Sequence, residues 1–267
     1  MNRKNVYLLL IDGQVDFCDP AGALYVPGAD LDMVRLTAFI DSNQKAINEV
    51  RVTMDCHQTI HIAHPIFWVN DKGEHPPVFT VITEDDVKNG VWKPFHAELN
   101  SWTLKYTAGL KTNGRYDLRI WPPHCLFGTK GWTVVPALMN TLLQWEQTTV
   151  NRIHWIQKGN NILTEQYSAV MADVPDPDDE TTSLNRDLIS DLAEADEILV
   201  GGEALSHCVG GTLLDIANNI GEENIRKLTL LTDATSNVGG CEALGQAYVD
   251  KLVARGMKLS TTTTWKP

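Results

Sequence analysis

Val6-Tyr7-Leu8-Leu9-Leu10-Ile11-Asp12-Gly13 is the stretch that decides the fold. Six apolar residues run without a break and stop at an acid and a glycine. A run this short and continuous suits a strand covered on both faces, as in a parallel sheet. The rhythm returns along the chain. Val50–Asp55, Asn151–Lys158, Glu197–Gly201 and Lys227–Thr232 read as strands, and Lys258–Thr264 as a last one. Helical spacing fills the gaps: from Asp30, as a cap, to about Asn48, then Thr133–Trp145, Ser183–Ala193, Gly210–Asn219 and Glu242–Arg255. This alternation predicts an α/β fold, a parallel sheet with helices on both faces.

One region breaks the rhythm. From about Ala63 to Ile120 the chain is aromatic and turn-rich, with Pro65, Pro76, Pro77, Trp92, Pro94 and Trp102, and only Pro94–Lys111 looks partly helical. Such an excursion reads equally as a lid or binding loop and as surface packing without a chemical role. The whole chain has 267 residues and a formal charge of −12. That charge argues against nucleic acid and anionic membranes as partners. No stretch reaches the roughly 18 apolar residues of a membrane span. Val6–Ile11 is too short for a signal-peptide core. The five cysteines are odd in number and form no CxxC pair, which fits free thiols. A cytoplasmic location is the expectation.

In open α/β sheets ligands bind beyond the carboxyl ends of the strands. Asp12, Asp55 and Lys158 end three of the expected strands, and Gly201-Gly202-Glu203-Ala204-Leu205-Ser206-His207-Cys208 leads from a fourth into a helix. A cysteine at a helix start is favoured as thiolate, a carboxylate can take its proton, and a lysine can offset charge. Backbone N–H groups in the preceding turn can hold an oxyanion. The set describes acyl transfer through a thioester. A cysteine there is also, and often, a small buried hydrophobe. Asp55 and His57 face one side of an extended segment, His61 and His64 follow, and His124 sits in Trp121-Pro122-Pro123-His124-Cys125. Carboxylate with imidazole suits zinc, iron or manganese, and a His-rich loop is also common on solvated surface.

Four motifs in this order resemble those of the isochorismatase-like cysteine hydrolases, and among them the nicotinamidases. They are Leu10-Ile11-Asp12-Gly13-Gln14-Val15-Asp16-Phe17 with Gly22, Leu24, Val26, Pro27 and Gly28; Asp55-Cys56-His57 with His61-Ile62; Trp121-Pro122-Pro123-His124-Cys125 with Gly128-Thr129 and Gly131; and Lys158-Gly159, Tyr167-Ser168-Ala169 and Ser206-His207-Cys208-Val209 with Thr212. They span about two thirds of the chain. The resemblance implies a three-layer α/β/α fold with a mostly parallel six-stranded sheet. It implies one domain over residues 1–267, with an insertion at about 63–120 near the active site. Asp12, Lys158 and Cys208 match the catalytic triad, as base, orienting cation and nucleophile. Ala204 and Cys208 match the oxyanion-hole N–H positions, and the family has a cis peptide where Glu203–Ala204 stands. Phe17 and Trp121 match walls around the substrate ring. Asp55, His57 and His124 match the ligands of one divalent metal, zinc first, with iron or manganese as alternatives.

The resemblance also implies a function: a metal-dependent amidase that converts nicotinamide to nicotinate and ammonia in NAD salvage. Its partner would be a small amide, and relatives often self-associate. The alternatives are a hydrolase of another small amide, pyrazinamide-like or N-carbamoyl, and a non-catalytic ligand-binding member. Three departures from the family bear on substrate choice: the long excursion, the polar Glu203, and Gly210-Gly211, which weaken the helix behind Cys208. His61 and His64 are left as spare ligands or supporting groups. The acidic segment Asp173–Glu180 lacks calcium-loop spacing and reads as a solvated loop.

Overall fold

Val6–Ile11 forms β1, and all six side chains are buried. Their alternation sends them to two different cores. Val6, Leu8 and Leu10 pack with Leu36, Ile40, Leu142 and Trp145 on one side. Tyr7, Leu9 and Ile11 pack with Leu192, Leu213, Ile216 and Leu252 on the other. Each such side chain contributes about 1.5–3 kcal/mol by leaving water. The structure is a computed structural model that describes residues 4–267, so the first three residues of the expected domain lie outside the described residues.

The other strands of the main sheet are β2 (Glu49–Asp55), β3 (Ile153–Lys158), β4 (Glu197–Gly202), β5 (Leu228–Leu231) and β6 (Lys258–Ser260). Their order is β6-β5-β4-β1-β2-β3, and every pairing is parallel. The longer helices are α1 (Ala29–Asn43), α2 (Asn100–Thr112), α3 (Pro136–Thr149), α4 (Arg186–Ala193), α5 (Gly210–Asn219) and α6 (Glu242–Ala254). α1 and α3 cover one face of the sheet; α4, α5 and α6 cover the other. This is the expected three-layer α/β/α arrangement with a six-stranded parallel sheet. Register aligns the strand ends: Ile11 pairs with Gly202, and Asp55 with Lys158.

Several boundaries differ from the sequence expectation, each for a local reason. α1 starts two residues early, because Gly28 at φ 100° supplies the turn into it. Asp30 therefore lies inside the first turn rather than at the cap, and it accepts a hydrogen bond from the Tyr25 hydroxyl at 2.6 Å. α3 starts at Pro136, since Val134 bridges to Gln14 in extended form and the Val135 N–H donates to Gly13. β6 stops at Ser260, where Thr261–Thr264 close a turn through their own hydroxyls.

The 63–120 segment has a core of its own. Two short antiparallel pairs, Trp68–Val69 with Lys93–Pro94 and Val81–Ile82 with Leu118–Arg119, brace α2 and a helix at Glu84–Lys88. Trp68, Ile82, Tyr106, Leu110, Ile120 and Trp121 form its buried cluster. Among the described residues no helix is long and apolar enough to cross a membrane. All five cysteines are buried free thiols. The Asp173–Glu180 segment is less solvated than expected: Asp173 and Asp176 are buried, and Asn161 Nδ2 donates to Asp176 and Asp179 at 3.0 and 2.9 Å.

Candidate active site

Asp12 stands at the end of β1 with no exposed surface. Its carboxylate is fixed by the Thr53 hydroxyl and by Lys158, whose Nζ lies 2.8 Å from Oδ2. Lys158, at the end of β3, also reaches Asp55 Oδ1 at 3.0 Å and Cys208 Sγ at 3.5 Å. One buried ammonium thus touches two carboxylates and a thiol. Burial alone would neutralise it, but Asp12, Asp55 and Cys208 outweigh burial and hold its proton firmly. Burial raises Asp12 above the usual carboxylate range, against the pull of Lys158. Burial also pushes the Cys208 thiol well up, against Lys158, with the charges of Asp12 and Asp55 adding to it. The site therefore places the Cys208 thiol on the same ammonium as a carboxylate whose raised proton affinity suits it to take the thiol proton.

Cys208 lies in a wide turn, Leu205–Val209, that leads into α5. The expectation that Gly210 merely weakens this helix is corrected by its surroundings. A Cβ there would lie 2.3 Å from Tyr248 Cδ2 and 2.5 Å from the Leu205 carbonyl, so only glycine lets α6 pack against the turn. Before the turn, Gly202 at φ 117° has no room for a Cβ against Ile11, which brings Ala204 to the end of β1. The Glu203–Ala204 peptide is cis. Ala204, Cys208, Phe17 and Trp121 line one narrow cavity together with Asp55 and His124.

Other residues line this cavity to which the sequence analysis gave no role. Tyr167 accepts from Trp121 Nε1 at 2.9 Å, and His207 packs edge-on to both rings at 5.2 and 5.3 Å. Burial lowers His207 to about 4, so it is a neutral wall. Glu165 also lines the cavity, fully buried, with Oε2 unpartnered; burial first, and Asp55 next, raise it to about 8. Tyr167 and His207 lay within the quoted motifs, but nothing in local spacing distinguishes a cavity wall from a core residue. Glu165 carried no signal beyond its place shortly after Lys158.

Asp55, His57 and His124 converge on the opposite side of Asp55. Their donor atoms all lie within 4.8 Å of one another, and all three residues are buried. Asp55 Oδ2 is 3.0 Å from His57 Nε2 and 3.3 Å from His124 Nε2. His124 Nδ1 donates to the Pro122 carbonyl at 2.8 Å, so Nε2 turns a lone pair toward Asp55. Both ring nitrogens of His57 lack a hydrogen-bond partner. Two unbridged imidazole lone pairs beside a carboxylate suit a divalent cation, and one oxygen with two nitrogens is a familiar zinc donor set. His61 is tied through both nitrogens, Nδ1 to the Ala63 N–H and Nε2 to the Thr164 carbonyl. His64 keeps a buried, unpartnered Nε2 beside His57.

No family model matches the chain. It is 27% identical to the nicotinamidase of Escherichia coli (strain K12) over 264 residues, covering 97% of this chain and 96% of that one. Among solved structures it resembles a nicotinamidase/pyrazinamidase of Acinetobacter baumanii, with a TM-score of 0.66, 21% identity, and 98% and 99% of the two chains covered. It also resembles the pyrazinamidase of Pyrococcus horikoshii in complex with zinc, with a TM-score of 0.58, 20% identity, and 96% and 99% covered. The chain shares the fold of these enzymes, and its likeness to the curated nicotinamidases supports a hydrolase that acts on an amide. Within that class its likeness is to the nicotinamidases.

Proposed function

We propose that the enzyme hydrolyses nicotinamide to nicotinate and ammonia through a thioester on Cys208. The observation that carries this is the contact of one buried Lys158 with Asp12, Asp55 and Cys208, at the edge of a cavity that also reaches Asp55 and His124. Asp12 takes the thiol proton as sulfur bonds to the amide carbon. The oxyanion that forms is held by the N–H groups of Ala204 and Cys208. Asp12 returns the proton to the departing nitrogen, the C–N bond breaks, and ammonia leaves. Asp12 then draws a proton from water, which cleaves the thioester and restores the thiol. Lys158 keeps Asp12 oriented and offsets its charge throughout.

Asp55, His57 and His124 would hold a divalent metal, zinc before iron or manganese. Such an ion supplies a Lewis-acidic point for a ring nitrogen or for ordered water. Phe17 and Trp121 flank the ring. Residues 1–267 act as one hydrolase domain, in which the core of the 63–120 insertion packs against the wall residue Trp121. On this reading the product is nicotinate, the reaction belongs to NAD salvage in the cytoplasm, and the partner is a small amide rather than nucleic acid or membrane. The test is ammonia release from nicotinamide and pyrazinamide by the metal-loaded protein. Turnover by the wild type and none by Cys208→Ala is expected. No turnover of either amide by the wild type overturns the proposal.

A further inference from the structure

Glu203 immediately precedes Ala204 and is fully buried, as is Asp32 on α1 but for 3%. The two carboxyls converge on one serine, and Glu203 Oε1 is buried without a donor. Ser236 ties them together from a third part of the chain: its N–H donates to Glu203 Oε2 at 3.1 Å, and its hydroxyl donates to Asp32 Oδ2 at 2.5 Å. Two buried carboxylates held by one serine repel each other unless one of them carries a proton. Cations do not relieve the pair. Arg35 approaches only Asp32, at 3.7 Å from a half-exposed position, and no cation among the described residues acts on Glu203. The other titratable groups facing the pair are Asp233 toward Asp32, and Cys18 and Tyr25, on which Glu203 acts. None of these is a cation. Burial pushes both carboxyls upward, Glu203 well above its usual range.

The pair sits where it can fix the turn. The Glu203 N–H donates to Ile11 and the Leu205 N–H to the Ser236 carbonyl, both at 2.8 Å. Val238, another cavity wall, donates its N–H to Ser206 Oγ. Among the described residues the Ala204 N–H between them has no backbone acceptor. We propose that Asp32 and Glu203 share one proton behind this turn, and that the pair is a positioning device that aims the Ala204 N–H at the oxyanion. The positioning role rests on the amidase function proposed above.

The experiment compares Glu203→Leu and Glu203→Gln with wild type. Glu203→Leu leaves the Ser236 N–H and the Asp32 carboxylate without their partner. It is expected to lower kcat roughly ten- to a hundredfold with KM within about threefold, as misaimed donors do. Glu203→Gln can still donate to Asp32 and is expected to restore kcat to within about threefold. The infrared carbonyl band of protonated carboxyls should be present in wild type at neutral pH and lose intensity in Glu203→Gln, the remainder coming from groups such as Glu165. A raised folded pKa means that stability falls as pH rises above the unfolded value, so the Tm of Glu203→Gln should gain on wild type with rising pH. Should Glu203→Leu not fold, Ser236→Ala gives the same kcat readout by removing only the bridging hydroxyl. Wild-type kcat in Glu203→Leu and in Ser236→Ala, or no loss of the protonated-carboxyl band in Glu203→Gln, overturns the proposal. A wild type that hydrolyses no amide overturns the amidase function and the positioning role with it, and the infrared band then decides the shared proton alone.

Discussion

Two pairs of buried carboxyls border the Ala204 turn, Asp12 with Asp55 and Asp32 with Glu203, and they differ by one cation. Lys158 sits between the first pair, 2.8 and 3.0 Å from its members. Burial would raise Asp55, but His57, Lys158 and His124 overcome it and hold Asp55 well below the usual range. The second pair has only the distant Arg35, and Glu203 is driven well above its usual range. Burial is equal, so the available cation decides the proton. Asp12 is the informative middle case, raised although Lys158 touches it, which suits a group that must accept a proton and return it.

The largest effect should come from taking the cation out of the first pair. Lys158→Met is expected to lower kcat/KM at least about a thousandfold and to cost about 3–5 kcal/mol in urea unfolding, because it strands two buried carboxylates. A stable Lys158→Met protein would break the comparison. Next comes the metal cluster beside the same pair. His124→Ala should lose metal in elemental analysis and fall in Tm relative to metal-loaded wild type, since an ion bound only by the folded state stabilises it. Chelator added to wild type should lower Tm in the same direction.

A third group sharpens the rule. Asp173 is buried beside Asp215, with Arg115 at 3.5 Å from Asp173 and 2.8 Å from Asp215. One cation shared this way leaves Asp173 raised to about 7, by burial first, with Arg115 opposing and Asp215 adding. Its raised pKa makes stability fall as pH climbs from the unfolded value near 3.8 through about 7. Asp173→Asn should remove that slope and gain on wild type by on the order of a few kcal/mol at alkaline pH, read by urea unfolding at two pH values. The smallest effect belongs to a pair in water. Lys93→Ala breaks an exposed contact with Asp71 and should change stability by less than about 1 kcal/mol.

Much of the sheet was legible because its strands are short apolar runs, and burial on both faces demands that pattern. Asp12, Asp55 and Lys158 were legible as chemistry because parallel strands place their carboxyl ends together. The helix starts were harder, because a glycine at positive φ overrode the cap signal at Asp30 and a bridge to another segment held the chain extended beyond Thr133. The 63–120 segment looked irregular because its strands are two residues long and its core forms only when they meet. Glu203 was read as a departure for a similar reason: the serine that joins it to Asp32 lies 204 residues from Asp32.

The sequence by itself determined the layered α/β architecture and which acids and lysine end the strands, since periodicity and the residues that close each apolar run are written locally. Only the tertiary structure decided which buried carboxyl meets a cation and which meets another acid. That depends on side chains brought within about 3 Å from distant parts of the chain, and at that range, away from water, the partner sets the charge.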